Sequence, residues 1–142
     1  ITIEYALRTA WQSVTNMYND KASAYNSTMS MGFTLLSIDA EGTPSTALGP
    51  KMGIESTSLS RILNSLEKRG YIKRKPNPND GRGVLIFLTK KGKEKRDISK
   101  KTVIEFNNSI IKNMNSKKMK HFFEVIDYIK TTVEQKELIN TK

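Results

Sequence analysis

From Ser56 to Leu88 the sequence holds one amphipathic helix, a glycine stop and two strands folded back on a loop, an order that leaves little choice of architecture. Leu59, Ile62, Leu63 and Leu66 recur at spacings of three and four, so all four share one face of a helix over 56–69. Gly70 ends it, because a left-handed C-terminal cap carries no Cβ penalty for glycine. Tyr71-Ile72-Lys73-Arg74-Lys75 then reads as one strand, and Val84-Leu85-Ile86-Phe87-Leu88, β-branched and aromatic, as a second. The loop between them contains Asp80-Gly81, a strong hairpin signal, so the turn is expected there with Gly81 tolerating positive φ.

The residues before this unit predict a helix that stops soon after it starts. Thr43 suits an N-cap and Pro44 a first helical position, where its missing N–H costs nothing. Pro50 follows Gly49 and should break or kink an interior turn, and Gly53 closes the element. A short helix, a tight glycine-containing turn and a second helix form a helix-turn-helix. The outward face of the second helix carries Thr57, Ser60, Arg61, Asn64 and Lys68, with Ser56 and Ser58 beside them at its start. Short hydroxyls, an amide and two cations suit a helix lying in the major groove of double-stranded DNA, where base edges are read by hydrogen bonds.

The net charge of +10 is concentrated where that argument needs it. Residues 61–101 hold 14 Lys and Arg against 4 Asp and Glu, and the rest of the chain holds 10 of each. A basic excess confined to the segment that contains the hairpin is the electrostatic footprint of a phosphate backbone. Lys68, Lys73, Lys75 and Lys90 are expected mainly at phosphates. A sequence-independent architectural protein would share this charge, but it would not need the hydroxyl- and amide-bearing face.

An enzyme is the rival from another class. The chain has one histidine, no cysteine and no phosphate-cradling glycine motif, and His121 has no obvious carboxylate partner in sequence. No catalytic residue, cofactor or metal is expected. The missing cysteines exclude disulfide and thiolate chemistry over these residues and fit a cytoplasmic protein. No run of about 18 apolar residues suggests a membrane span, and no charged-then-apolar leader suggests export. The chain begins with Ile, so a few preceding residues are expected to be absent.

At 142 residues one domain is expected, flanked by long helices. Ile3, Leu7, Ala10, Trp11, Val14, Met17 and Tyr18 form an apolar stripe over 3–25. Ser27 or Thr28 caps a second helix through Phe33, Leu35, Leu36 and Ile38, with Gly42 as its stop. After the hairpin, Thr89 caps a helix starting at Lys90 that carries Val103, Phe106, Ile110 and Met114. Ser116 caps a last one carrying Met119, Phe122, Phe123, Ile126, Ile129 and Val133. The centre is too small to cover three such stripes, so a homodimer is expected to bury them.

With these elements in order, the sequence resembles the MarR family of winged helix-turn-helix regulators over nearly its whole length. The resemblance is carried by Asp80-x-Arg82 followed by Leu88-Thr89-x-x-Gly92, and by Leu66-Glu67-Lys68-Arg69-Gly70-Tyr71-Ile72. It implies a mainly α fold with a small β-hairpin wing, dimerisation helices at 1–26 and 100–142, and a DNA-binding domain over 28–99. It implies a ligand-responsive repressor that binds a pseudo-palindromic operator. The implied wing contacts are Lys73, Arg74, Lys75, Asp80, Gly81, Arg82, Gly83 and Lys90. Arg82 would enter the minor groove, where a planar, weakly hydrated guanidinium meets enhanced negative potential. Asp80 would orient Arg82 or a neighbouring cation, and Gly81 and Gly83 would let the backbone pass close to the duplex. The resemblance further suggests an effector cleft for a small amphipathic or aromatic molecule near Arg8, Trp11, Tyr18 and Phe33, although the spacing of these aromatics fits plain core equally well.

Overall fold

The structure, a computed structural model, describes residues 1–135, and of Asp80 and Arg82 the backbone alone. The dimerisation segment expected at 100–142 therefore reaches past the described residues. Among them the elements run α1 (Ile3–Ser23), α2 (Met29–Ser37), β1 (Thr43–Pro44), α3 (Ser45–Met52), α4 (Ser56–Lys68), β2 (Ile72–Asn77), β3 (Asp80–Leu88), α5 (Lys90–Lys112) and α6 (Ser116–Glu134). The architecture is mainly helical with one small antiparallel sheet in the order β1-β3-β2. The chain forms two compact units, Ile1–Lys101 and one beginning at Thr102. No helix among the described residues is long and apolar enough to cross a membrane.

The first unit is built on the apolar stripe of α4. Leu59, Leu63 and Leu66 turn inward and meet Met31 and Leu35 of α2, Ile38 after it, Leu48 of α3, and Ile72, Ile86 and Leu88 of the sheet. Leu48, Leu66 and Ile86 are fully enclosed. This packing holds α4 by one face and leaves the other to solvent. Thr2 caps α1, and Thr28, one of the two alternatives, caps α2 by accepting the Met31 N–H at 3.2 Å.

Four local expectations need correction. Thr43 and Pro44 do not start α3; they pair with Ile86 and Leu85 as the edge strand β1, where a proline without an N–H is tolerated. Gly42 does not stop α2, which ends at Ser37; with φ 95° it closes the following turn by donating to the Asp39 carbonyl at 3.0 Å. Pro50 does not break α3 but sits inside it, and the helix ends at Gly53 as expected, with φ 69°. The hairpin turn is Pro78-Asn79, not Asp80-Gly81. Asn77 pairs with Asp80 across it, and the Asn77 side chain accepts the Asn79 N–H at 3.0 Å. That asparagine turn, with proline presetting φ, competes successfully with Asp-Gly. The register then shifts between Pro76 and Asn77, so positions 81–83 of β3 have no partner in β2. The two glycines therefore lie in a bulged strand.

The two sequence signatures meet in space. Thr89 Oγ1 donates to the Gly70 carbonyl at 2.6 Å and accepts the Gly92 N–H at 3.0 Å, capping α5. The Thr89 N–H donates to the Tyr71 carbonyl at 3.1 Å. A Cβ on Gly92 would lie 1.9 Å from that same oxygen. Thr89 and Gly92 thus tie the end of α4 to the exit of the sheet. Gly70, at φ 79°, makes the turn that brings the chain there.

In the unit beginning at Thr102, α6 is capped by Asn115 and not Ser116, because Asn115 Oδ1 accepts the Lys118 N–H at 2.7 Å. Phe122 and Phe123 pack edge to face at 5.2 Å, each more than half exposed.

Candidate nucleic-acid interface

The seven residues expected to read DNA, Ser56, Thr57, Ser58, Ser60, Arg61, Asn64 and Lys68, are all exposed on α4. The helical repeat explains this, since burial of Leu59, Leu63 and Leu66 fixes the opposite face outward. Glu55 takes the extended N-cap conformation without a side-chain cap bond, so the first amides of α4 have no bond from it.

Lys73, Arg74 and Lys75 are exposed on β2, and Lys90 is exposed as the first residue of α5. Their surroundings differ. The Lys75 ammonium lies 5.2 Å from the centre of the Phe87 ring. Arg74, expected among the wing contacts, turns back onto α4: its Nη2 donates to Asn64 Oδ1 at 2.7 Å and its Nε lies 3.4 Å from Glu67 Oε2. Glu67, the acid that partners it, is exposed on α4 beside the polar face. Gly81 and Gly83 lie in β3, whereas the side-chain roles expected for Asp80 and Arg82 fall outside the described residues.

Sequence reasoning missed a second group of cations. The Lys91 ammonium stands 5.7 Å from the Tyr71 ring, and Lys95 stands 5.6 Å from Tyr25 and 6.0 Å from Tyr71. The negative faces of these rings attract the ammonium groups and hold them in place. The available signal was the spacing of four between Lys91 and Lys95. Arg69 donates to the Asn26 carbonyl and anchors the end of α4 to the loop after α1.

Of the four residues named for an effector cleft, Tyr18 and Phe33 come together, their rings edge to face at 5.4 Å. Burial pushes the Tyr18 phenol above its ordinary pKa. Phe33 also lines a cavity of about 260 Å³ with Leu36, Ser37, Lys51 and Met52. Lys51 Nζ donates to the Ser37 carbonyl at 2.7 Å and pairs with Asp39 at 3.4 Å. Arg8 instead lies over the ring of Tyr5, and Trp11 is exposed. His121 has a carboxylate neighbour after all, Glu124 at 3.3 Å, with both side chains more than half exposed. No three His, Asp or Glu side chains among the described residues converge as a metal would require.

The MarR family profile matches residues 28–84, from the start of α2 into β3. The regulator SarZ of Staphylococcus epidermidis is 31% identical over 101 residues, covering 68% of each chain. The transcriptional repressor MprA of Escherichia coli is 37% identical over 75 residues, covering 52% of this chain and 43% of MprA. The chain spans about half the length, or less, of the first curated relatives it matches. The crystal structure of the S. aureus MepR–DNA complex superposes with a TM-score of 0.85 at 16% identity, covering 94% of this chain and 99% of MepR, a likeness of fold. The SarZ match over two thirds of both chains, together with the family profile lying on the helix-turn-helix and hairpin, leads to one conclusion: the chain belongs to the MarR family.

Proposed function

We propose that the protein is a sequence-specific, double-stranded DNA-binding transcriptional regulator that represses from a pseudo-palindromic operator as a homodimer. MarR-family proteins are DNA-binding regulators and not enzymes. The observation that carries the reading is the outward face of α4, where hydroxyls, an amide and a guanidinium stand exposed over a closed leucine core. Lys68 on α4, Lys73 and Lys75 on β2 and Lys90 at the start of α5 are exposed and supply phosphate contacts. MprA is named a repressor, and MepR was crystallised with DNA, which supports repression and duplex binding as the reading for this chain. At the wing, the resemblance implies Arg82 in the minor groove, with Asp80 to orient it or a neighbouring cation.

Arg61→Ala tests the reading. It should cost about 1–3 kcal/mol on the preferred site and relax the preference at one or two base pairs, measured by competition against random duplex at fixed salt. Lys68→Ala or Lys73→Ala should weaken every sequence alike. An equal loss on preferred and random DNA for Arg61→Ala would remove α4 from the reading role.

The homodimer is supported by the apolar side chains left in the open. On α1, Ile3 is 59% and Trp11 55% exposed; on α6, Phe123 is 58% and Tyr128 71% exposed. Aromatic and aliphatic surface of this kind is what a symmetry mate covers. Sedimentation should give roughly 32 kDa from the 16.1 kDa chain, and a strict monomer at micromolar concentration would contradict it. A small amphipathic or aromatic effector bound near Trp11, Tyr18 and Phe33 then acts by its different affinity for two dimer conformations, one of which sets the two α4 helices at operator spacing.

A further inference from the structure

Arg74 holds Asn64 in a way that decides what Asn64 can read. A guanidinium has donors only, so the Asn64 atom 2.7 Å from Nη2 must be the carbonyl oxygen, and the amide orientation follows from chemistry alone. Glu67, one turn along α4, meets the same guanidinium at Nε, 3.4 Å from its Oε2. Asparagine reads adenine by two bonds at once, its oxygen accepting from the base amino group and its nitrogen donating to the ring nitrogen. With a cation on the oxygen, the partly positive adenine amino group is repelled from it. The nitrogen, with its two N–H groups, is left to face the groove.

We infer that Arg74 is a positioning residue that fixes the Asn64 amide with its nitrogen outward, so that Asn64 selects a base edge presenting acceptors, guanine or thymine, and rejects adenine. The inference rests on α4 being the reading helix. It also takes Arg74 out of the set of free phosphate-binding cations, because Glu67 already partners its charge.

The test is selection from a random duplex pool with the full chain and four variants: Asn64→Ala, Arg74→Ala, Arg74→Lys and Arg61→Ala. The base pair whose preference Asn64→Ala abolishes should carry guanine or thymine on the contacted strand in wild-type sites. Arg74→Ala should move that same pair toward adenine by about tenfold, the scale of one bidentate contact, and leave other positions unchanged. Arg74→Lys, which still offers a cationic donor to Oδ1, should keep the wild-type preference. A uniform loss on all sequences for Arg74→Ala, with a shallower salt dependence, would make Arg74 a phosphate contact and overturn the inference. An unchanged preference in Asn64→Ala would overturn it as well. In that case a preference lost in Arg61→Ala leaves the reading helix standing, and one unchanged there too removes both.

Discussion

Gly92→Ala should destabilise the first unit by about 3 kcal/mol or more, the upper end of what overpacking costs. The added Cβ would lie 1.9 Å from the Tyr71 carbonyl oxygen and 2.8 Å from its carbon. Both are backbone atoms, so no rotamer change relieves the clash. Moving the start of α5 away stretches the Thr89 N–H bond to that same oxygen and the Thr89 hydroxyl bond to Gly70. Denaturant titration should show the midpoint falling sharply, with DNA binding lost in proportion to folded protein. Gly53→Ala makes a useful comparison, because it meets no atom within 4 Å and suffers only from φ 69°. A Gly92→Ala midpoint shift no larger than that of Gly53→Ala would contradict the joint described here.

Leu66→Ala should cost about 2–5 kcal/mol, the range for truncating an enclosed leucine. Leu66 is fully buried beneath α4, in contact with the same core that orients the DNA-facing side chains. The cavity left behind is bounded by helices and sheet together and cannot collapse by moving one of them. Equilibrium unfolding should register the whole loss, whereas Arg61→Ala, on the opposite and exposed face, should leave the unfolding midpoint nearly unchanged. Stability and base preference should thus separate cleanly across one helix. A Leu66→Ala protein as stable as wild type would mean that α4 is not held by this face.

What the sequence made legible was what local periodicity controls. Leu59, Ile62, Leu63 and Leu66 announce α4 and, by the same spacing, which side chains it turns outward. Gly53 and Gly70 announce the ends of α3 and α4, and each takes a left-handed backbone there. The errors come from pairings between distant segments. Thr43-Pro44 has good helix-start chemistry, but β3 recruits it as an edge strand forty residues on in sequence. Asp80-Gly81 is a good turn, but Pro78-Asn79, with Asn77 bonded across it, makes a better one two residues earlier and leaves the Asp-Gly pair in a bulged strand. Arg74 looks like any wing cation until Asn64 and Glu67 are brought beside it. The Leu-Thr-x-x-Gly signature could be recognised but not explained from sequence, since its threonine and glycine act on Gly70 and Tyr71, across the whole hairpin.

The central claim is that α4 reads base sequence in a symmetric pair of half-sites. The most direct measurement is to select duplexes from a random pool with the purified chain at fixed moderate salt and then compare its affinity for the enriched sequence with that for unselected DNA. The account predicts an inverted repeat with half-site centres about one helical turn, ~10 bp, apart, and a preference of about 10³-fold or more over unselected duplex. Enriched pools with no shared sequence, bound no more tightly than the starting DNA, would contradict it and leave a charge-driven binder indifferent to sequence.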